Sequence, residues 1–149
     1  MATPVKVNGP PASTAVSRVL ACLLEKEVQF QLINVGMSKR EHKSPEYLKL
    51  AFAPKFKVKQ DEEVIKQNEE KLSKVVDVYE KRPEEYRFLA GEEFTLADLS
   101  HLPNTQYLVS TDRARGLFSE KKNVWRWWGE ISGRESWKKV VDMQNAPPA

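Results

Sequence analysis

The sequence predicts a mostly helical protein that opens with a small strand-helix-strand unit. Three observations carry that expectation. Pro4 to Val35 runs through strand-like, helix-like and strand-like patterns, and apolar residues from Asp61 onward recur mainly at helical spacing. The third is Phe94-Thr95-Leu96-Ala97-Asp98-Leu99, which has the signature of a helix start.

Pro4 to Asn8 alternates apolar and polar residues as a first strand does. Gly9-Pro10-Pro11-Ala12 breaks it, and Ser13 or Thr14 then caps a helix. That helix carries Ala15, Val16, Val19, Leu20, Leu23 and Leu24 and is expected to run to about Lys26. Val28 to Val35 reads as a second strand, parallel to the first because a helix connects them. Ligands of such units bind at the carboxyl ends of the strands, where Ser13 lies. Gly36 to Lys43 reads as a polar loop, and Ser44-Pro45-Glu46 starts a short helix through Leu48. No third strand-like run follows, although two parallel strands alone make a poor sheet. Leu50 to Phe56 is apolar and broken by Pro54.

Asp61 to about Lys81 is predicted to be a long helix, with Val64, Ile65, Leu72, Val75, Val76 and Tyr79 facing inward and Asn68 near that side. Asp61, Glu62 and Glu63 suit its N-terminal dipole, and Pro83 is expected to end it. Thr95 and Asp98 then form a capping box, with Phe94 and Leu99 as a hydrophobic staple. Leu96, Leu99 and Leu102 continue as a buried stripe, kinked at Pro103, and His101 satisfies a local hydrogen bond. Asp112 to Phe118 is a turn and short helical piece. Lys121 to Ile131 places Val124, Trp127, Trp128 and Ile131 on one face, leaving Trp125 near the surface. Trp137 to Met143 is the last helix, and Asn145 to Ala149 is expected to fray.

The 149 residues suffice for one domain or two small lobes. Basic residues number 24 against 21 acidic ones and are interleaved with them, which argues against a nucleic-acid partner. No apolar run is long enough to span a membrane, and the Met1-Ala-Thr-Pro start has no signal-peptide core. Cys22 is alone, so it forms no internal disulfide; it reads as a small core residue in a cytoplasmic protein. No metal-ligand spacing occurs around either histidine.

Three stretches together carry a resemblance: Gly9 to Leu20, Met37 to Leu48, and Phe88 to Asn104. With Asp61 to Lys81 and Trp125 to Val141, they make the chain similar to plant glutathione transferases of the phi class. The resemblance implies a thioredoxin-like remnant at 1–50 and a helical C-terminal transferase domain at 51–149. It also implies a departure. Between Leu50 and Ala51 the chain skips what family members use for the third and fourth strands, the next helix and most of the first long helix of the helical domain. The cis-proline loop and the Glu-Ser step that hold glutathione go with them, so the chain reads as internally truncated, its first strand an exposed edge. Asn8, Pro83 and Glu135 are smaller departures from the family pattern.

The resemblance implies that Ser13 is catalytic, its hydroxyl donating to the glutathione sulfur and favouring thiolate. Read locally, Ser13 or Thr14 is only an N-cap. Thr14 is expected to contribute more weakly to glutathione binding, and His42 and Lys43 match the pair that holds the glycine carboxylate. Arg18 is expected in a structural ion pair. Glutathione is then co-substrate, with no cofactor or metal, and hydrophobic electrophiles are the second substrate. A homodimer, or a heterodimer with full-length relatives, is the implied assembly. The activity implied is conjugation for detoxification, weakened by the missing contacts. The alternative is a non-catalytic protein that binds ligands or pairs with partners through the helical lobe.

Overall fold

The computed structural model of the chain describes residues 4–35 and 62–146. The expected loop at 36–43, the short helix at 44–48, the apolar run at 50–56, and both His42 and Lys43 lie outside those residues. So does the junction between Leu50 and Ala51.

Strand β1 (Val5–Asn8), helix α1 (Thr14–Glu25) and strand β2 (Phe30–Ile33) form the expected unit. The strands pair in parallel, with Val5 opposite Phe30 and Val7 opposite Leu32. Gly9 turns the chain out of β1 at a φ of 139°, and a Cβ there would come within 2.7 Å of the Val16 side chain. Only glycine meets both demands.

Helix α1 ends in a Schellman arrangement. Glu27 N–H donates to Leu24 O at 3.2 Å and Val28 N–H to Leu23 O at 2.9 Å. The residue at the left-handed position is Glu27, with φ 53°, where a side chain carries a steric cost. Glu27→Gly is therefore expected to raise the unfolding free energy by about 0.5–1 kcal/mol, measured by urea denaturation. A loss of stability would mean that the Glu27 side chain outweighs its backbone strain.

The remaining described elements are helical: α2 (Glu62–Glu85), α3 (Leu96–Leu99), α4 (Leu102–Val109), α5 (Asp112–Ser119), α6 (Lys122–Ser132) and α7 (Glu135–Asn145). One core joins them to the strand unit. It runs from Val7, Leu20 and Ala21 through Leu99 and Leu102 to Trp127, Ile131, Trp137 and Val140. Trp127 and Trp128 are buried as expected, and Trp125 is half-buried with the Arg115 guanidinium 5.7 Å from its ring centre. The carboxylate of Glu80 on α2 accepts the Asn123 and Val124 N–H groups, capping α6 from another helix.

Four expectations are corrected. Pro83 lies within α2 rather than ending it. The last turn persists because Arg126 of α6 donates to Pro83 O at 2.8 Å, satisfying a terminal carbonyl from outside. Val64, Val75 and Asn68 are exposed; of the residues expected to face inward only Val76 is fully buried, with Ile65, Leu72 and Tyr79 half-buried. Asn68 instead donates to Val64 O on its own helix. Leu96 is 67% exposed, although Leu99 and Leu102 are buried. As the first residue of α3 it points away from the face that continues into α4. Finally, the helix expected to kink at Pro103 separates into α3 and α4. Pro103 stands in the first turn of α4, where its missing N–H costs no helical bond.

Candidate active site at the start of helix α1

Ser13 is the N-cap of α1, in an extended conformation with φ −69° and ψ 128°. Its backbone is engaged, the N–H donating to Pro10 O at 3.0 Å and the carbonyl accepting Ser17 N–H at 2.8 Å. Its hydroxyl makes no capping bond, and Ser13 is half-buried. A serine at this position usually uses its oxygen to hold the first turn; here that oxygen is left for another partner. No acidic residue occupies the first turn of α1, so the helix's positive end is not offset there. A hydroxyl donor beside an unopposed helix dipole suits a developing or resident anion.

The loop before Ser13 is held from three directions. The buried Ser17 hydroxyl donates to Pro11 O at 2.6 Å. Gln144 on α7 donates to Pro11 O at 3.3 Å and to Ser17 Oγ at 3.0 Å. The Tyr107 hydroxyl on α4 donates to Ala12 O. Sequence reading missed Ser17, Tyr107 and Gln144 as supports. The last two stand 95 and 133 residues from their partners, and no local pattern announces such a contact. Among the described residues Arg18 forms no ion pair, contrary to expectation; its Nε donates to Ser100 O at 3.2 Å, tying α1 to the end of α3.

The far end of α1 is clamped as well. Glu25 stands at the helix C-terminus, where a negative charge is unfavourable. Arg134 offsets this with two bonds of 2.7 and 2.6 Å, and the Ser136 hydroxyl donates to the same carboxylate. The Arg134 hydrogen bonds hold the Glu25 carboxyl below its ordinary value of 4.5 against the opposing effect of burial, with Ser136 assisting. A depressed folded-state pKa contributes stability above the unfolded value and loses it as pH falls through the folded value. Glu25→Gln is thus expected to cost about 1–2 kcal/mol at pH 7. In urea titrations the gap between wild type and variant closes below pH 4.5. A gap independent of pH would assign the effect to packing.

The family model for the glutathione S-transferase C-terminal domain matches residues 42–135. Poplar glutathione transferase F1 superposes with a TM-score of 0.89 at 40% identity, covering 97% of this chain and 100% of that one. This chain belongs to the glutathione transferase family. Glutathione transferase F2 from Populus trichocarpa superposes with a TM-score of 0.87 at 44% identity, over 97% and 100% of the two chains. Glutathione S-transferase F11 of Arabidopsis thaliana is 29% identical over 209 residues, 93% of this chain and 98% of that protein. These similarities place the chain among the plant F-type, or phi-class, transferases. An aligned span of 209 residues exceeds the 149 of this transferase, so the Arabidopsis relative holds residues within that span that have no counterpart here. Among the described residues, no helix is long and apolar enough to cross a membrane, and no group of three or more His, Cys, Asp or Glu forms a metal site.

Proposed function

We propose that this transferase joins the thiolate of glutathione to electrophilic small molecules, in detoxification, with Ser13 as the group that stabilises the thiolate. The observation that carries the reading is the Ser13 hydroxyl. It has no capping bond at the positive end of α1, in a loop braced by Ser17, Tyr107 and Gln144. Poplar glutathione transferase F1 has also been solved as a serine-to-cysteine mutant at its residue 13. Thr14, the first helical residue, stands beside Ser13 and supports glutathione more weakly, while His42 and Lys43 hold its glycine carboxylate. Lysine is an apt point charge for that carboxylate, and histidine donates a hydrogen bond in either protonation state.

In this reading the chain is internally truncated and cytoplasmic. Residues 1–50 form the glutathione lobe and 51–149 the helical lobe. The block present in the Arabidopsis relative and absent here includes the γ-glutamyl contacts. Hydrogen bonds to charged groups contribute about 1.5–3 kcal/mol each, so losing two or more lowers glutathione affinity by at least a hundredfold. The test is conjugation of glutathione to a generic aromatic electrophile by purified, monodisperse protein. A rate above the uncatalysed reaction, saturating only at high glutathione concentration, is expected. No rate from a folded sample would refute the reading.

A second reading has its own observation. Val64, Val75 and Val78 are exposed along α2, an apolar face suited to another chain. A non-catalytic protein pairing with itself or with full-length relatives would use it. Sedimentation of the chain alone, and with a full-length phi-class partner, distinguishes pairing from a strict monomer.

A further inference from the structure

A hollow of about 130 Å³ lies between α2, α4, α5 and α6, with Leu72, Val76, Leu108, Phe118 and Trp127 among its apolar walls. Val75, 49% exposed, stands at its mouth. An apolar cavity of roughly 150 Å³ accommodates a benzene ring, so this hollow is the size of one six-membered aromatic ring. Its lining also contains two polar groups in unusual states. Thr105 is only 4% exposed, and its hydroxyl has no hydrogen-bond partner among the described residues. The His101 carbonyl, to which a helical threonine hydroxyl can turn, accepts the Thr105 N–H at 2.9 Å but no bond from the Thr105 hydroxyl. A buried hydroxyl without a partner is unfavourable, and a bound group that bonds to it recovers that cost.

The second polar group is the Tyr79–His101 pair. His101 Nδ1 lies 2.7 Å from Ala97 O, and a carbonyl only accepts, so Nδ1 carries the proton. In the neutral ring Nε2 then accepts from the Tyr79 hydroxyl, 3.0 Å away, leaving the phenol oxygen with lone pairs to offer. The rings of Tyr79, His101 and Trp127 stand against one another at centroid distances of 5.3–6.3 Å, forming an aromatic wall. We propose that this hollow binds a monocyclic aromatic molecule bearing a hydroxyl or amino group, its ring between Leu72, Val76 and Trp127 and its polar group on Thr105. The hollow shares no lining residue with the Ser13 loop, and its occupancy is independent of glutathione conjugation.

The experiment titrates phenol, and separately toluene, into the full chain without glutathione. Calorimetry gives affinities, and the Trp127 indole N–H resonance reports the location. Both ligands are expected to bind saturably and to shift that resonance. Thr105→Val keeps the side-chain shape and is expected to weaken phenol about 5–10-fold while leaving toluene unchanged. Val75→Phe, at the exposed mouth, is expected to abolish binding of both while circular dichroism stays native. No saturable binding to the wild type, as from a hollow holding water alone, would overturn the proposal. So would undiminished phenol binding in Thr105→Val, or undiminished binding of either ligand in folded Val75→Phe. Because glutathione is absent, an inactive transferase does not alter the result.

Discussion

Asp98→Asn is expected to lower the unfolding free energy by about 2–4 kcal/mol, a large part of the 5–15 kcal/mol that holds a typical domain together. Asp98 is fully buried. One carboxylate oxygen accepts the Leu89 N–H at 2.9 Å and the Trp127 indole N–H at 2.8 Å. The other accepts the Thr95 N–H at 3.0 Å. All three partners donate, so only a group that accepts on both sides satisfies them. Asparagine presents an amide NH₂ on one side whichever way it is turned, leaving an N–H facing an N–H. Asp98→Ala strands all three donors and is expected to cost more, about 3–5 kcal/mol. Urea denaturation at neutral pH measures both variants. A loss below about 1 kcal/mol for Asp98→Asn would mean that the pocket relaxes to admit another acceptor. Trp127→Phe removes one of the three donors, so a double-mutant cycle with Asp98→Asn should show coupling between them.

Ser13→Ala is expected to slow conjugation about 25-fold at pH 7. A free thiol with a pKa near 8.5 is only a few per cent ionised there; lowering that value by about two pH units makes roughly three quarters of it thiolate. Removing the hydroxyl returns the bound thiol toward its free behaviour, so the pH-rate profile moves upward by about two pH units. At pH 9 the deficit shrinks to about twofold or less, because the free thiol is then largely ionised without help. The sign of this pH dependence separates thiolate stabilisation from a structural role: a damaged loop slows the reaction equally at both pH values. Ser13 makes no capping bond, so the substitution is also expected to leave stability within about 0.5 kcal/mol.

Local devices were legible without coordinates. The Thr95–Asp98 capping box is present, with Ala97 N–H donating to Thr95 Oγ1 and Thr95 N–H to the Asp98 carboxylate. The parallel strand unit and the burial of Trp127 and Trp128 also follow from patterns a few residues long. The same patterns misjudged Pro83, because what sustains the last turn of α2 is Arg126, 43 residues away. They misjudged Val75, whose place in an apolar run says nothing about whether a neighbour covers it.

The sequence by itself determined the caps that start α1 and α3, the family to which the chain belongs, and Ser13 as its candidate catalytic residue. Spacing, caps and motifs are short-range properties of the chain. Only the tertiary structure decided that Asp98 also binds the Trp127 indole, that Glu80 caps α6 across the bundle, and that the Ser13 hydroxyl is left uncommitted. Those outcomes depend on which distant donors and acceptors reach a side chain once the core has closed. A hydrogen bond is fixed by the positions of both partners, and a local pattern specifies only one.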